Sequence, residues 1–480
     1  MVFSSLLFTF FFLPAVLILY FLAKKEYRNY ILLAASLLFY AYGEPKFVLV
    51  MIATILVNYV LALLISRYET RSKGARLFLA VAVIADIGLL FVYKYLMFTL
   101  TTINRLFHTM YAAEIALPIG ISFFTFQAMS YVIDVYRGTT AVQKNPFYVA
   151  LYIAFFPQLI AGPIVRYNTI AEQIENRQCT PELFADGARR FLLGFGKKVV
   201  LANNLSVLSS AVFRRTDLML DVPLPLLWLG AIAYSLQIYY DFSGYSDMAI
   251  GLGKLFGFRF EENFRYPYIC ASVTDFWRRW HISLSTWFRD YVYIPLGGSR
   301  VSVPKQIRNL FVVWALTGTW HGANWTFIAW GLWYFIWLVL EKYLVKPEDK
   351  PVPLRVLWRV VTLLCVVLAW VMFNSGSFST GLNYCTGMFG IYRSVPPAPD
   401  AEIPQLMPLV YYLREYGAYF VFGILFSTPV MPLLAARADR VRVLSRIRDV
   451  VAPFAYGLLF LWAVSFLILG VHNPFIYFNF

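Results

Sequence analysis

From residue 2 to residue 471, windows of about 20 mostly apolar residues follow one another almost without pause, the length an α-helix needs to cross a bilayer's hydrocarbon core. Lipid offers no water to satisfy backbone N–H and C=O groups, so spanning segments must be helices or a closed barrel. Windows twice the length of a barrel strand point to helices. Only 14% of the 480 residues are charged and 60% are hydrophobic, against about 25% charged in an average soluble domain. The expected fold is an all-α polytopic membrane protein forming one domain over 1–480, with about ten to twelve transmembrane helices plus re-entrant segments.

The candidate membrane segments are 2–22, 29–42, 46–66, 77–100, 116–135, 147–165, 189–213, 223–250, 308–340, 354–373, 408–433 and 451–471. The first lacks a basic leading region and a small-residue cleavage site before Lys24 and Lys25, so it reads as a helix rather than a leader. Ala116 to Gly120 and Pro157 to Pro163 put helix breakers at membrane depth, where broken backbone is tolerated only against protein or a water-filled cavity. The stretch 386–407 is proline-rich and reads as an external loop or surface helix. No internal repeat is visible, which weighs against inverted-repeat transporters.

A net charge of +15 would suggest nucleic acid in a soluble protein. Here it follows from basic loops, and no nucleic-acid motif accompanies it, so nucleic acid is not an expected partner; the bilayer is. Lys24, Lys25 and Arg28 follow the first segment, and Arg67, Arg71, Lys73 and Arg76 follow the third. Arg437, Arg440, Arg442, Arg446 and Arg448 precede the last. With all three clusters in the cytosol, both termini are extracytoplasmic. Four scattered cysteines and four histidines show no metal-ligand spacing, so no metal site is expected.

Polar groups at membrane depth are costly and usually line a cavity or carry function. Residues 266–300 hold Trp277, Arg278, Arg279, Trp280, His281, Ser283, Ser285, Trp287, Arg289 and Asp290. They read either as an interfacial helix with snorkelling arginines or as a site around His281. His321 interrupts a hydrophobic span among Thr317, Gly318, Trp320, Gly322 and Asn324. It is either a histidine hydrogen-bonded across helices or the wall of a pocket, and the small residues beside it favour the pocket. Asp241 and Asp247 demand cationic partners, with Arg278, Arg279 or Arg289 the expected ones. Asp134 and Arg137 read as a helix-end pair, and His108 and His472 as interfacial filler.

These islands, in this order, resemble the membrane-bound O-acyltransferase family, in particular its bacterial alginate O-acetyltransferase-like branch. The resemblance rests on Met1 to Ser5, Pro118 to Gln127, Phe155 to Arg166, Tyr240 to Asp247, Phe276 to Ser285, Trp320 to Asn324 and Phe475 to Phe480. It implies helices arranged around a central tunnel, with His321 the catalytic residue and His281 its companion. The implied donor is acetyl-CoA from the cytosol, a substrate rather than a bound cofactor. The implied partner is an extracytoplasmic or membrane-tethered hydrolase-fold acetyltransferase that delivers the acetyl group to an exported polysaccharide, which implies a bacterial cytoplasmic membrane.

The residues suit that chemistry on their own terms. Attack on a thioester needs a base for the acceptor hydroxyl and donors for the developing oxyanion. His321 could be the base, or a nucleophile. His281, Asn324, Ser283 and Ser285 could orient the acyl group, with Trp320 and Trp280 lining its path. Arg278, Arg279 and Lys305 could attract donor phosphates or simply snorkel. Two other functions fit less well. D-Alanyl transfer from a carrier protein to teichoic acid lacks the full-length match. A polysaccharide or lipid transporter predicts acidic proton relays or inverted repeats, and neither is visible.

Overall fold

The computed structural model describes residues 1–112, 115–397, 403–470, 474 and 476. His472 and the rest of the terminal aromatic run 475–480 lie outside the described residues, as does 398–402 of the proline-rich stretch. Every regular element among the described residues is helical. The chain forms two compact units, Met1–Gly194 with Tyr245–Glu262, and Phe195–Gly244 with Asn263–Phe480.

In the first unit, the helices Arg28–Gly43 and Val48–Ile65 are joined by a four-residue turn closed by the Val48 N–H on the Glu44 carbonyl, 3.1 Å. A connection this short makes them a helical hairpin. Ser72 then caps the next helix through the Ala75 N–H, 3.3 Å, and the helical run Lys73–Phe107 follows.

The helix-breaking stretches behave as lipid exclusion requires. Ala116 to Gly120 stays non-helical until Ile121. Gly120 sits at φ +75°, and a Cβ there would lie 2.9 Å from the Leu159 carbonyl oxygen. The helix Pro146–Ala154 ends at extended Phe155, a single turn Phe156–Leu159 follows, and the chain is irregular to Arg166. The stretch from Phe155 to Val165 is buried in protein throughout. Its polar groups find side chains: the Phe156 N–H donates to Ser36 Oγ at 3.1 Å, and the Val165 carbonyl accepts from Tyr152 Oη at 3.1 Å. Interior side chains thus replace water.

In the second unit, the expected span 308–340 is two helices, Val303–His321 and Trp325–Leu340, separated at Gly322 to Asn324. They approach closely at two glycines. A Cβ on Gly331 would fall 2.4 Å from the Trp314 carbonyl oxygen, and one on Gly318 would fall 2.5 Å from that of Phe327. Two short helices, Val273–Arg279 and Ile282–Phe288, precede this pair. The helices Val352–Asn374, Leu409–Phe426 and Arg442–Ile468 follow it.

Six helices among the described residues are long and apolar enough to cross a membrane, or seven if Leu409–Phe426 and Val430–Asp439, bent by 62°, count as one span. The protein is therefore a multi-pass membrane protein. The larger number of segments in the sequence includes helices that exist but fall short of this standard. Arg28–Gly43 has 16 residues. Ile121–Arg137 is buried around its whole girth and carries Ser122, Thr125, Gln127 and Ser130.

Both core carboxylates find partners other than the expected arginines. Within the second unit Asp241 pairs with Lys198 at 2.6 Å, both side chains 2% exposed. Within the first, Asp247 accepts from Arg190 at 2.8 Å. Arg279 instead bonds Asp275 and Arg289 bonds Asp290, each a near neighbour in sequence. Lys198 and Arg190 lie earlier in the chain and reach these helices only through the fold.

Candidate functional site

Both histidines of interest lie in the second unit. The path to His281 begins with a short helix fixed at its start. Ser272 Oγ caps Val273–Arg279 by accepting the Asp275 N–H at 3.0 Å. The buried Glu341 carboxylate accepts the N–H groups of Val273 (2.6 Å) and Thr274 (2.8 Å), the Thr274 hydroxyl (2.7 Å) and the Trp358 indole N–H (2.9 Å). A carboxylate suits the positive end of a helix, and four donors satisfy its buried charge.

His281 follows Trp280 at φ +45°, ψ +55°, the left-handed region. Non-glycine residues enter it at a cost, and such strain gathers at functional sites. The reversal turns the imidazole inward, where it is 0% exposed. It meets the edge of Phe242 at 4.6 Å between ring centres and Trp320 at 6.1 Å. Its Nδ1 is 3.2 Å from Asn263 Oδ1. The same oxygen accepts the Ser283 N–H (3.2 Å) and Ser283 hydroxyl (3.0 Å), while the Asn263 carbonyl accepts the Ile282 N–H (3.0 Å). Burial alone pushes the His281 pKa down to about 3, so the ring is neutral at physiological pH.

His321 ends the helix Val303–His321 and is 3% exposed. Three aromatic rings stand edge-on around it: Trp330 at 4.9 Å, Trp320 at 5.0 Å and Phe373 at 5.3 Å. Trp320 thus lies between the two histidines, and both belong to one aromatic cluster. The cluster extends through Trp330 to Trp277 (5.5 Å) and through Trp370 to Trp280 (4.8 Å). Buried polar atoms without a partner among the described residues gather here: Nε2 of His281, Nδ2 of Asn263, Nε1 of Trp277 and Trp330, and the hydroxyls of Tyr334 and Thr326. Buried polar groups are normally satisfied, so a concentration of orphans suits a site that binds polar ligand atoms.

The other residues singled out in the sequence divide. Trp320, Trp280 and Ser283 belong to this cluster or to the His281 turn. The Ser285 hydroxyl bonds the Trp277 carbonyl at 3.4 Å. Asn324 is occupied as a helix cap: its Oδ1 accepts the Thr326 N–H at 3.2 Å and its Nδ2 donates to the Gly376 carbonyl at 3.3 Å. Arg278 and Lys305 are exposed, whereas Arg279 is engaged with Asp275. Lys305 lies 16 residues before His321 on one helix, about 24 Å along its axis.

Asn263 and Glu341 escaped the sequence reading. Asn263 follows Glu261 and Glu262 and looks like a solvated loop position; Glu341 looks like an ordinary charge at a helix end. Among the described residues, no three His, Cys, Asp or Glu side chains cluster as metal ligands would. What the site offers is two buried imidazoles, that of His281 neutral, with N–H and O–H donors in an aromatic enclosure.

A family model described as MBOAT, membrane-bound O-acyltransferase family, matches residues 37–386. The chain is 46% identical over 394 residues to the probable alginate O-acetylase of Pseudomonas syringae pv. tomato, covering 81% of this chain and 75% of the relative. It is 35% identical over 427 residues to the peptidoglycan O-acetyltransferase of Helicobacter pylori, covering 82% and 80%. It is 27% identical over 284 residues to the teichoic acid D-alanyltransferase of Bacillus subtilis, covering 54% and 68%.

Proposed function

The chain belongs to the membrane-bound O-acyltransferase family, and from that premise we propose that it moves acetyl groups from cytosolic acetyl-CoA across the membrane for O-acetylation of an exported, alginate-type polysaccharide. The observation that carries this reading is the pair of buried histidines joined through Trp320 in one aromatic cluster. Water-poor surroundings protect a thioester from hydrolysis and strengthen every polar contact to the reacting atoms.

In the proposed reaction the acceptor hydroxyl loses its proton to a neutral imidazole, His321, as its oxygen attacks the thioester carbonyl. The oxyanion collapses, the C–S bond breaks, and the thiolate leaves with coenzyme A. His281 orients the reactants. The donor enters from the cytosolic side through a passage in the protein, its phosphates meeting the exposed Arg278 and Lys305. An extracytoplasmic hydrolase-fold partner would collect the acetyl group and place it on the polymer, with both termini of this chain on that outer face. The identity to alginate-type relatives, both higher and longer than that to the teichoic acid enzyme, supports acetyl over D-alanyl transfer.

The test is transfer from labelled acetyl-CoA in purified membranes supplied with the acceptor partner. His321→Ala at matched protein level should lose on the order of a hundredfold or more in turnover. Undiminished turnover would remove His321 from the reaction. No thioester consumption by the wild type would redirect the search to a carrier-protein donor.

A further inference from the structure

We infer that Asn263 is a positioning residue that holds His281 in the Nδ1–H tautomer, so that His281 presents to substrate a lone pair and no N–H. This rests on the acyltransferase reading above and assigns one histidine's hydrogen-bonding role within it.

The Asn263 amide offers both an acceptor and a donor. An oxygen and a nitrogen could in principle exchange places at the end of its side chain. The Ser283 backbone N–H, 3.2 Å away, can only donate, so the atom facing it is the oxygen. An amide oxygen can only accept. The His281 Nδ1 at 3.2 Å from that oxygen therefore carries the proton. A neutral imidazole has one N–H, so Nε2 is bare. The ring is neutral because it is wholly buried and no charged side chain contributes to its shift.

The surroundings support a ligand at Nε2. It is buried and has no partner among the described residues. Its ring is held on one side by Phe242 and faces Trp320 and thus His321. The left-handed backbone at His281 is a strained device for aiming the side chain. Asn263 is itself held through the Ile282 N–H and both donors of Ser283. Three bonds from the two residues that follow the reversal thus fix its position.

The consequence is specific. Neutral His281 cannot stabilise the acyl carbonyl oxygen, which needs a donor. It can hold the hydrogen of a hydroxyl, the group that the acyl acceptor brings. Its companion donors for the oxyanion must come from elsewhere, and the Trp277 and Trp330 indoles and the Tyr334 hydroxyl are among the unpartnered ones.

The experiment is ¹⁵N NMR of the full chain in detergent or lipid, labelled at the histidine ring nitrogens, with His281 assigned by its loss in His281→Gln. Expected is a protonated Nδ1 and a bare Nε2 in the wild type, and a loss of that single tautomer in Asn263→Leu. An Nε2–H ring in the wild type would overturn the inference. Acetyl transfer gives an independent arm: Asn263→Leu should lower kcat on the order of a hundredfold with KM for acetyl-CoA little changed, and Asn263→Asp should recover much of it by supplying the same acceptor. A purely structural Asn263 would show Asp as damaging as Leu, or an unchanged tautomer in Asn263→Leu. If the wild type transfers no acetyl group, the functional reading fails while the tautomer measurement still decides this inference.

Discussion

Protonating His281 inside its aromatic shell would place an unpaired charge between Phe242 and Trp320, and the cost appears in the linkage between folding and pH. In an unfolded chain the imidazole titrates near 6.5, whereas in the fold burial pushes its pKa to about 3. Above pH 6.5 both states are neutral and the linkage vanishes. Below it the unfolded chain takes up a proton that the folded chain refuses, so stability falls as pH drops towards 3, by a few kcal/mol at most. The unfolding temperature of the solubilised protein should therefore drop between pH 6.5 and pH 4.5 more steeply for the wild type than for His281→Gln. Parallel slopes would show that the ring is solvated. The sequence made His281 and His321 visible because an imidazole among tryptophans at membrane depth is conspicuous. It hid Asn263 because its partner stands 18 residues away and is brought back only by a backbone reversal that no local propensity announces.

Helix ends carry the site, and Glu341 shows how. It lies one residue beyond Trp325–Leu340, within the π-helical turn Glu341–Val345, yet its carboxylate holds the start of Val273–Arg279, the helix that delivers Trp280 and His281. Glu341→Gln keeps the shape but turns one acceptor oxygen into a donor facing N–H groups, a mismatch of about 1–3 kcal/mol. The unfolding temperature and acetyl-transfer kcat should both fall. Trp358→Phe, which removes one of the four donors and leaves the carboxylate intact, should do less. If Glu341→Gln is indistinguishable from wild type in both, the carboxylate does not anchor the helix. At this scale the sequence revealed the breaks at Gly120 and Pro157, because proline and glycine mark them, whereas the one at Gly322 fell inside the expected segment 308–340. The 2.4 Å clearance at Gly331 that lets two helices approach beside His321 has no counterpart in the local pattern, since a glycine in an apolar run looks the same whether or not another backbone passes it.

For the whole molecule, hydropathy located the helices, but length and apolarity cannot separate a lipid-facing helix from one surrounded by protein. Val48–Ile65 is 39% buried over its spanning window, while 78% of the window in Pro181–Asp217 is buried. The latter carries Lys198, whose bond to Asp241 is tolerable only inside protein. Sidedness, by contrast, is a question for the loops. A hairpin of Arg28–Gly43 and Val48–Ile65 that crosses and recrosses the bilayer returns the chain to the face it left, so the clusters Lys24 to Arg28 and Arg67 to Arg76 are expected on one side, which the basic bias predicts to be the cytosol. Single cysteines answer this directly, in a background freed of Cys179, Cys270, Cys365 and Cys385. Lys25→Cys, Lys73→Cys and Arg440→Cys, all at exposed positions, should react with a membrane-impermeant maleimide only after the cells are opened. Lys46→Cys, in the turn of the hairpin, should react in intact cells. Labelling of Lys25→Cys and Lys73→Cys from outside, with Lys46→Cys protected, would invert the orientation and put donor entry on the wrong face. Opposite sidedness at residues 25 and 73 would break the hairpin itself, and with it the reading of the first three helices.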